Sequence, residues 1–94
     1  MIAIARFEVP LGRAGHFEIQ LEAARLALSQ CVGFLSGEYG QSLDAPTLWA
    51  LTTQWKNVGS YRRALSSTHI KIEVVPLLAQ AMDEPGAFEK PYSE

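Results

Sequence analysis

His69 is the side chain of this sequence best suited to acid–base chemistry. Imidazole exchanges its proton near neutral pH, so a histidine that faces a cavity can act as a general base. His69 follows the run Ser66-Ser67-Thr68, at the predicted start of a helix. Its position leaves two roles open: a catalytic base, or a half-exposed residue at a helix start.

A second group of side chains has the chemistry to bind a flat aromatic molecule. Small-molecule sites are lined mainly by aromatic and aliphatic side chains. The predicted wall residues are Phe7, Trp55, Tyr61 and Leu65, with Trp49 as a further candidate. Ordinary packing in the core is the competing interpretation of the same residues.

The sequence lacks the motifs that several other classes of reaction require. No G-x-S-x-G, P-loop or dinucleotide-binding motif occurs. Histidine and cysteine do not recur at the spacing that zinc sites need, and the single cysteine, Cys31, has no partner for an internal disulfide. We therefore expect neither a metal ion nor any other cofactor.

The composition indicates one small domain with a large apolar fraction. The 94 residues are 48% hydrophobic and 19% charged, with a net charge of −2. A domain of this length buries only about 60–65% of its unfolded surface, so we expect a second copy to cover apolar surface in a homodimer. Scattered lysine and arginine argue against nucleic-acid binding. No apolar run or export signal is evident, which predicts a cytoplasmic protein without membrane contact.

The first half of the chain predicts a strand, a long helix and a second strand. In residues 2–9 the odd positions are apolar, so this face is expected to meet the helices. A helix of roughly 15 residues should end near Gln30. Its apolar stripe comprises Phe17, Leu21, Ala24, Leu28 and Cys31, widened by Ile19, Ala23 and Leu26. Residues 34–43 form the second strand, in which Glu38 is expected to pair with Arg6.

The second half predicts a central strand, short helices and an edge strand. Residues 48–55 carry mostly uncharged side chains on both faces, which favours a central position in the sheet. Asn57 is a good N-cap for a short helix, and Pro76 is expected to split the helix that follows. Residues 87–92 form a weak strand at an edge because of Pro91.

With these elements in place, the chain resembles the antibiotic biosynthesis monooxygenase-like domains of the dimeric α+β barrel superfamily. The resemblance covers almost the whole chain, and it implies that residues 1–94 form a single domain of this kind. It is carried by Trp55 at the end of a strand, by the helix with Tyr61 and Leu65, by residues 66–69, and by Gly33-Phe34-Leu35. It implies an α+β fold, a ferredoxin-like β-α-β-β-α-α-β sandwich that forms a dimeric α+β barrel.

The resemblance also implies two kinds of activity. One is cofactor-independent oxygenation of electron-rich polycyclic aromatics and hydroquinones, and the other is oxidative breakdown of haem. The haem-degrading branch would need a histidine, a tryptophan and an asparagine at positions held here by Val74, Ala64 and Phe7. Because valine offers no atom that ligates iron, this branch is disfavoured.

The sequence therefore predicts a cofactor-independent monooxygenase that acts on a phenolic, quinol or polyketide-like aromatic molecule, with His69 as the base. The alternative is a non-catalytic small-ligand-binding or regulatory homodimer that uses the same apolar cavity. An oxygenase needs a proton acceptor aimed into the cavity, whereas a binding protein needs only apolar walls. A third interpretation, haem held by another ligand, would require His16 or His69 inside the pocket.

Overall fold

One antiparallel sheet forms the centre of the fold, in a computed structural model that describes residues 1–92. Its strands are β1 (Ile2–Glu8), β2 (Phe34–Gln41), β3 (Leu48–Trp55) and β4 (Ala87–Phe88), in the order β2-β3-β1-β4. β1 pairs with β3 along its whole length. The predicted central position of β3 and edge position of the last strand are confirmed. β4 is shorter than predicted, and Pro91 beyond it has no amide hydrogen to extend the ladder.

Short helices and one long helix cover one face of the sheet. A 3-10 turn (Leu11–Arg13) leads into α1 (Ala14–Ser29), and α2 (Val58–Ser66), α3 (Thr68–Glu73) and α4 (Val75–Leu78) follow β3. Asn57 Oδ1 accepts a hydrogen bond from the Ser60 amide at 2.8 Å, so the predicted N-cap of α2 is confirmed. The predicted break in the next helix falls at Val74, and Pro76 lies in the first turn of α4, where proline is tolerated.

The core lies between these helices and the odd-numbered face of β1, as the alternation predicts. From α1 it takes Phe17, Leu21, Ala24 and Leu28. Ile19, Ala23 and Leu26 are exposed, so the prediction that they widen the stripe is wrong. At 3.6 residues per turn they lie on the side of the helix opposite Leu21.

A close approach joins the turn after α1 to α2. Gly33 has a φ of +89°, and a side chain there would collide with the Ser60 side chain. Ser60 and Ala64 are the buried residues of α2. Glycine is needed at this turn for both its backbone conformation and its lack of a side chain.

Arg6 forms an ion pair with Glu84, so the predicted partner, Glu38, is wrong. Arg6 Nη1 lies 3.0 Å from Glu84 Oε1, and both side chains are about half exposed. β3 separates β1 from β2, so Arg6 and Glu38 are not on neighbouring strands.

The segment 82–88 covers the outer edge of β1. The Met82 amide donates to the Arg6 carbonyl at 2.7 Å, the Ile4 amide donates to the Gly86 carbonyl at 2.6 Å, and β4 continues the pairing. Any side chain at Gly86 would collide with the Ile4 carbonyl.

The other face of the sheet is only partly covered by the described residues. On β3, the four side chains that point toward the helices are buried and the four that point away are half-buried. The second set is Leu48, Ala50, Thr52 and Gln54. We call this surface, together with the even-numbered side chains of β1, the open face.

Candidate functional site

A small cavity lies between the sheet and the helices. Its volume is about 30 Å³. It is lined by Ala3, Ile4, Ala5, Leu28, Leu51, Thr53, Tyr61 and Leu78. A cavity that binds benzene measures roughly 150 Å³, so this one has room for a single very small molecule. The location agrees with the sequence prediction, whereas the size is smaller than an aromatic ligand requires.

Tyr61 is the predicted wall residue that lines this cavity. It is half-buried on α2, and its ring centroid lies 5.6 Å from that of Trp55. Burial raises the pKa of the Tyr61 hydroxyl above its ordinary value. The phenol therefore stays protonated at neutral pH and can donate a hydrogen bond.

The other predicted wall residues lie outside the lining of this cavity. Phe7 is 1% exposed and packs on Phe17, with ring centroids 5.1 Å apart. Trp55 is fully buried, and its ring centroid lies 5.3 Å from that of Phe34. Leu65 is half-buried at the margin of the core. A ligand would have to displace packed side chains to reach Phe7 or Trp55, and the ligand-binding role of all three stays a prediction.

His69 lies in the first turn of α3 and is exposed. His69 is absent from the lining of this cavity and from that of four further clefts found among residues 1–92. His16, on α1, is exposed as well. The structure does not bring His69 together with Tyr61 in one cavity, and its catalytic role stays a prediction.

Thr53 is the polar cavity residue that the sequence analysis missed. It is 3% exposed, and its Oγ1 accepts a hydrogen bond from Trp55 Nε1 at 2.9 Å. Among the hydrogen bonds of residues 1–92, none uses the Thr53 hydroxyl as a donor. The signal was present in the sequence: the alternation of β3 places this hydroxyl on the same face as Trp49, Leu51 and Trp55.

A larger cleft lies between α1 and β2, with a volume of about 290 Å³. Glu22 in this cleft forms an ion pair with Arg25, with oxygen and nitrogen 2.7 Å apart. The hydrogen bond from Arg25 lowers the pKa of Glu22, and the nearby Tyr39 hydroxyl adds to this effect. Burial, followed by the neighbouring Glu22, raises the pKa of Tyr39.

The open face carries two further clefts. The larger has a volume of about 610 Å³ and lies around Arg6, Leu48, Met82, Glu84, Pro85 and Phe88. Within residues 1–92 there is no group of three or more His, Cys, Asp or Glu side chains that could hold a metal ion. Nor does that part of the chain contain a helix long and apolar enough to cross a membrane.

The fold and the sequence together define the class of protein. Residues 1–72 match the family model of the antibiotic biosynthesis monooxygenases. This match covers more than half of the chain, which therefore belongs to that family. A comparison with curated proteins gave no match.

Solved structures support the same fold. The structure of a variant of SnoaB, a cofactor-independent oxygenase from Streptomyces nogalater, is 20% identical, with a TM-score of 0.73 over 86% of this chain and 82% of that one. A structure from Deinococcus radiodurans that is named as an antibiotic biosynthesis monooxygenase is 19% identical. Its TM-score is 0.79 over 99% of this chain and 94% of that one. A conserved protein from Methanosarcina mazei is 22% identical, with a TM-score of 0.73 over 92% and 84%. These likenesses confirm the predicted ferredoxin-like α+β fold.

Proposed function

We propose that this protein is a cofactor-independent monooxygenase that acts on a phenolic, quinol or polyketide-like aromatic molecule. The proposal rests on membership of this family together with the apolar cavity between the sheet and the helices. Thr53 and Tyr61 are the residues with hydroxyl groups in the lining of this cavity. The similar Streptomyces nogalater protein is named as a cofactor-independent oxygenase, which supports the same class of reaction.

The aromatic ring requires more space than the cavity offers. Tyr61 and Leu78 are half-buried, so both lie between the cavity and the surface. Leu78 is the last residue of α4, which has only four residues. Movement of these two side chains would let a ring lie against the mouth of the cavity, beside Tyr61 and Leu78, without disturbing Phe7 or Trp55.

The reaction we propose needs no redox group from the protein. Loss of a proton from an activated ring methylene leaves a carbanion, which gives one electron to dioxygen. The resulting ring radical and superoxide combine into a peroxide, which takes up a proton and loses water to leave a carbonyl group. The balance is one methylene and one dioxygen consumed, with one carbonyl and one water formed. His69 is our candidate for the base, and its exposure means that it would act on a ligand that extends to the surface at α3.

We also propose that two copies pair through their open faces and form a homodimer. Four half-buried side chains of β3 lie on this face: Leu48, Ala50, Thr52 and Gln54. A second copy would remove them from water, and burial of apolar surface contributes about 25 cal/mol per Å². The resemblance to dimeric barrels supports the same arrangement.

A second candidate function is a non-catalytic small-ligand-binding or regulatory dimer. The exposure of His69 favours it, because a binding protein needs apolar walls and no base.

Oxygen consumption distinguishes the two functions. Chelator-treated protein is mixed with a panel of anthrones and hydroquinones, and oxygen uptake is compared among the wild type, His69→Ala and His16→Ala. His16 is the matched control because it is also an exposed histidine. The oxygenase with His69 as base predicts uptake that survives chelation, falls at least tenfold in His69→Ala and persists in His16→Ala. Equal uptake in all three would keep the enzyme and remove His69 from the mechanism. Binding of these aromatics without uptake would support the regulatory dimer instead.

A further inference from the structure

The cavity beside Thr53 has the size of a gas-binding site. Its volume of about 30 Å³ is a fifth of the roughly 150 Å³ that accommodates benzene. Most of its lining is aliphatic, from Ala3, Ala5, Leu28, Leu51 and Leu78. A water molecule in a protein usually makes about three hydrogen bonds, and only Thr53 and Tyr61 bring polar side chains to these walls, whereas apolar cavities take up small apolar molecules.

The polar residues of the lining, Thr53 and Tyr61, have hydroxyl groups that can donate hydrogen bonds. Thr53 is 3% exposed, and its oxygen already accepts the hydrogen bond from Trp55 Nε1. Its hydroxyl hydrogen has no acceptor within residues 1–92. The hydroxyl hydrogen is still free to donate, so a ligand that accepts from it gains a hydrogen bond. Tyr61, with its raised pKa, is a second protonated hydroxyl in the lining.

We propose that this cavity binds dioxygen and that Thr53 donates a hydrogen bond to the superoxide formed there. The binding of dioxygen stands on the cavity alone, and the role of superoxide rests on the proposed function. In that step the deprotonated aromatic loses one electron and becomes a radical, and dioxygen gains that electron. Thr53 keeps its proton throughout. A hydroxyl donor beside the position where negative charge develops stabilises that charge.

The site also assigns separate places to the two reactants. Dioxygen occupies the cavity under Leu28 and Leu51, and the aromatic molecule lies outside it, against Tyr61 and Leu78. Enlarging or filling the cavity should therefore change the dependence of the rate on oxygen and leave aromatic binding unchanged.

Dioxygen itself is the probe for the first experiment, because it is paramagnetic and speeds the relaxation of nearby methyl protons. The protein is placed under oxygen pressure, and methyl relaxation is measured by NMR. Methyl groups of Leu28 and Leu51, which line the cavity and are at most 3% exposed, should show at least a threefold larger enhancement than those of Leu21 and Val74, which are fully buried elsewhere in the core. Equal enhancements would overturn the proposal, as would cross-relaxation with a resident water molecule.

A filled cavity supplies the matched comparison. Ala5→Val adds two carbon atoms at the cavity wall, and Ala23→Val adds the same atoms at an exposed position on α1. The larger oxygen-induced relaxation enhancement of the cavity methyl groups should disappear in Ala5→Val and persist in Ala23→Val. Persistence in a folded Ala5→Val variant would contradict the assignment. If Ala5→Val does not fold, the wild-type comparison still decides.

Kinetics test the role of Thr53 separately. With an aromatic substrate that the protein oxidises, Thr53→Val should lower kcat by about tenfold or more, and Thr53→Ser, which keeps the hydroxyl, should stay within about twofold of the wild type. Anaerobic binding of the aromatic should be the same in all three. Equal kcat values would remove Thr53 from the mechanism. If no aromatic is oxidised, the proposed function fails, and the relaxation measurement still decides whether dioxygen occupies the cavity.

Discussion

At the scale of single residues, the two tryptophans of β3 differ in one hydrogen bond. Trp55 Nε1 donates to Thr53 Oγ1 at 2.9 Å, whereas Trp49 Nε1 is buried without an acceptor among the described residues. Both side chains are at most 4% exposed. The pair therefore allows the value of a buried hydrogen bond to be measured inside one strand.

We predict that Trp55→Phe destabilises the protein by about 2 kcal/mol more than Trp49→Phe. The first change removes a formed hydrogen bond, and the second removes a buried donor that has no acceptor. Chemical denaturation of both variants gives the two free energies of unfolding. Equal losses would mean that Trp49 Nε1 has a partner in solution.

The ion pair of Glu22 makes the free energy of unfolding depend on pH. The pKa of Glu22 is lowered by the hydrogen bond from Arg25, so its contribution to stability is complete above the unfolded-state pKa and is lost as the pH falls through the folded-state pKa. We predict that Glu22→Gln is less stable than the wild type at pH 7 and equally stable once the pH lies below the folded-state pKa. Glu18→Gln, on the same helix and outside this ion pair, is the control and should be as stable as the wild type at pH 7. The effect should be small because the pair is partly exposed, and denaturation at a series of pH values measures it.

At the scale of elements, the turn between α1 and β2 sets the position of α2. Gly33 supplies a positive φ and the space that the Ser60 side chain occupies. We predict that Gly33→Ala lowers the free energy of unfolding by about 2 kcal/mol or more, since the left-handed conformation alone costs a non-glycine residue roughly 1–2 kcal/mol. Gly12→Ala is the control, because a side chain there meets no atom within 4 Å. Thermal unfolding measures both, and similar melting temperatures would contradict the role of the turn.

The strands, the cap of α2 and the helix break could be predicted because each depends on local rules. Alternation identified the faces of β1 and β3, and Asn57 and Pro76 marked helix boundaries. The outward position of Ile19 and Leu26 was missed because an apolar residue on a helix does not report which side faces the sheet. The pairing of Arg6 with Glu84 depends on how the chain returns after α4, which no local pattern records.

The candidate site was less predictable than the fold. Tyr61 and the cavity between helices and sheet were identified, but large aromatic residues were expected in its wall. Phe7 and Trp55 fill the core instead, because large side chains in a small domain are needed for packing. The cavity exists where small residues, Ala3 and Ala5, leave space, and small residues carry no signal of a site in a sequence.

At the scale of the whole molecule, the open face is the surface that a homodimer would bury. We predict a particle of about twice the 10.3 kDa chain mass in analytical ultracentrifugation. Leu48→Lys places a charge on this face and should shift the protein toward the monomer by at least tenfold in Kd, since burying an unpaired charge is costly. Leu43→Lys is the control, because Leu43 is 99% exposed in a loop and should leave the mass unchanged. A monomeric wild type would contradict the dimer and leave the oxygenase proposal untouched.

The segment 82–88 also decides how many ways the sheet can be extended. It occupies the outer edge of β1 through two backbone hydrogen bonds and β4, while the edge of β2 stays without a strand beside it in residues 1–92. An edge strand is a template for pairing with another chain, and a sheet with two free edges can grow into a fibre. Among residues 1–92, the sheet therefore has one long edge, that of β2, at which a strand of another chain could pair. A homodimer paired through its open faces would carry two such edges, one on the β2 strand of each subunit, so the segment 82–88 halves the number of places where another chain could add a strand.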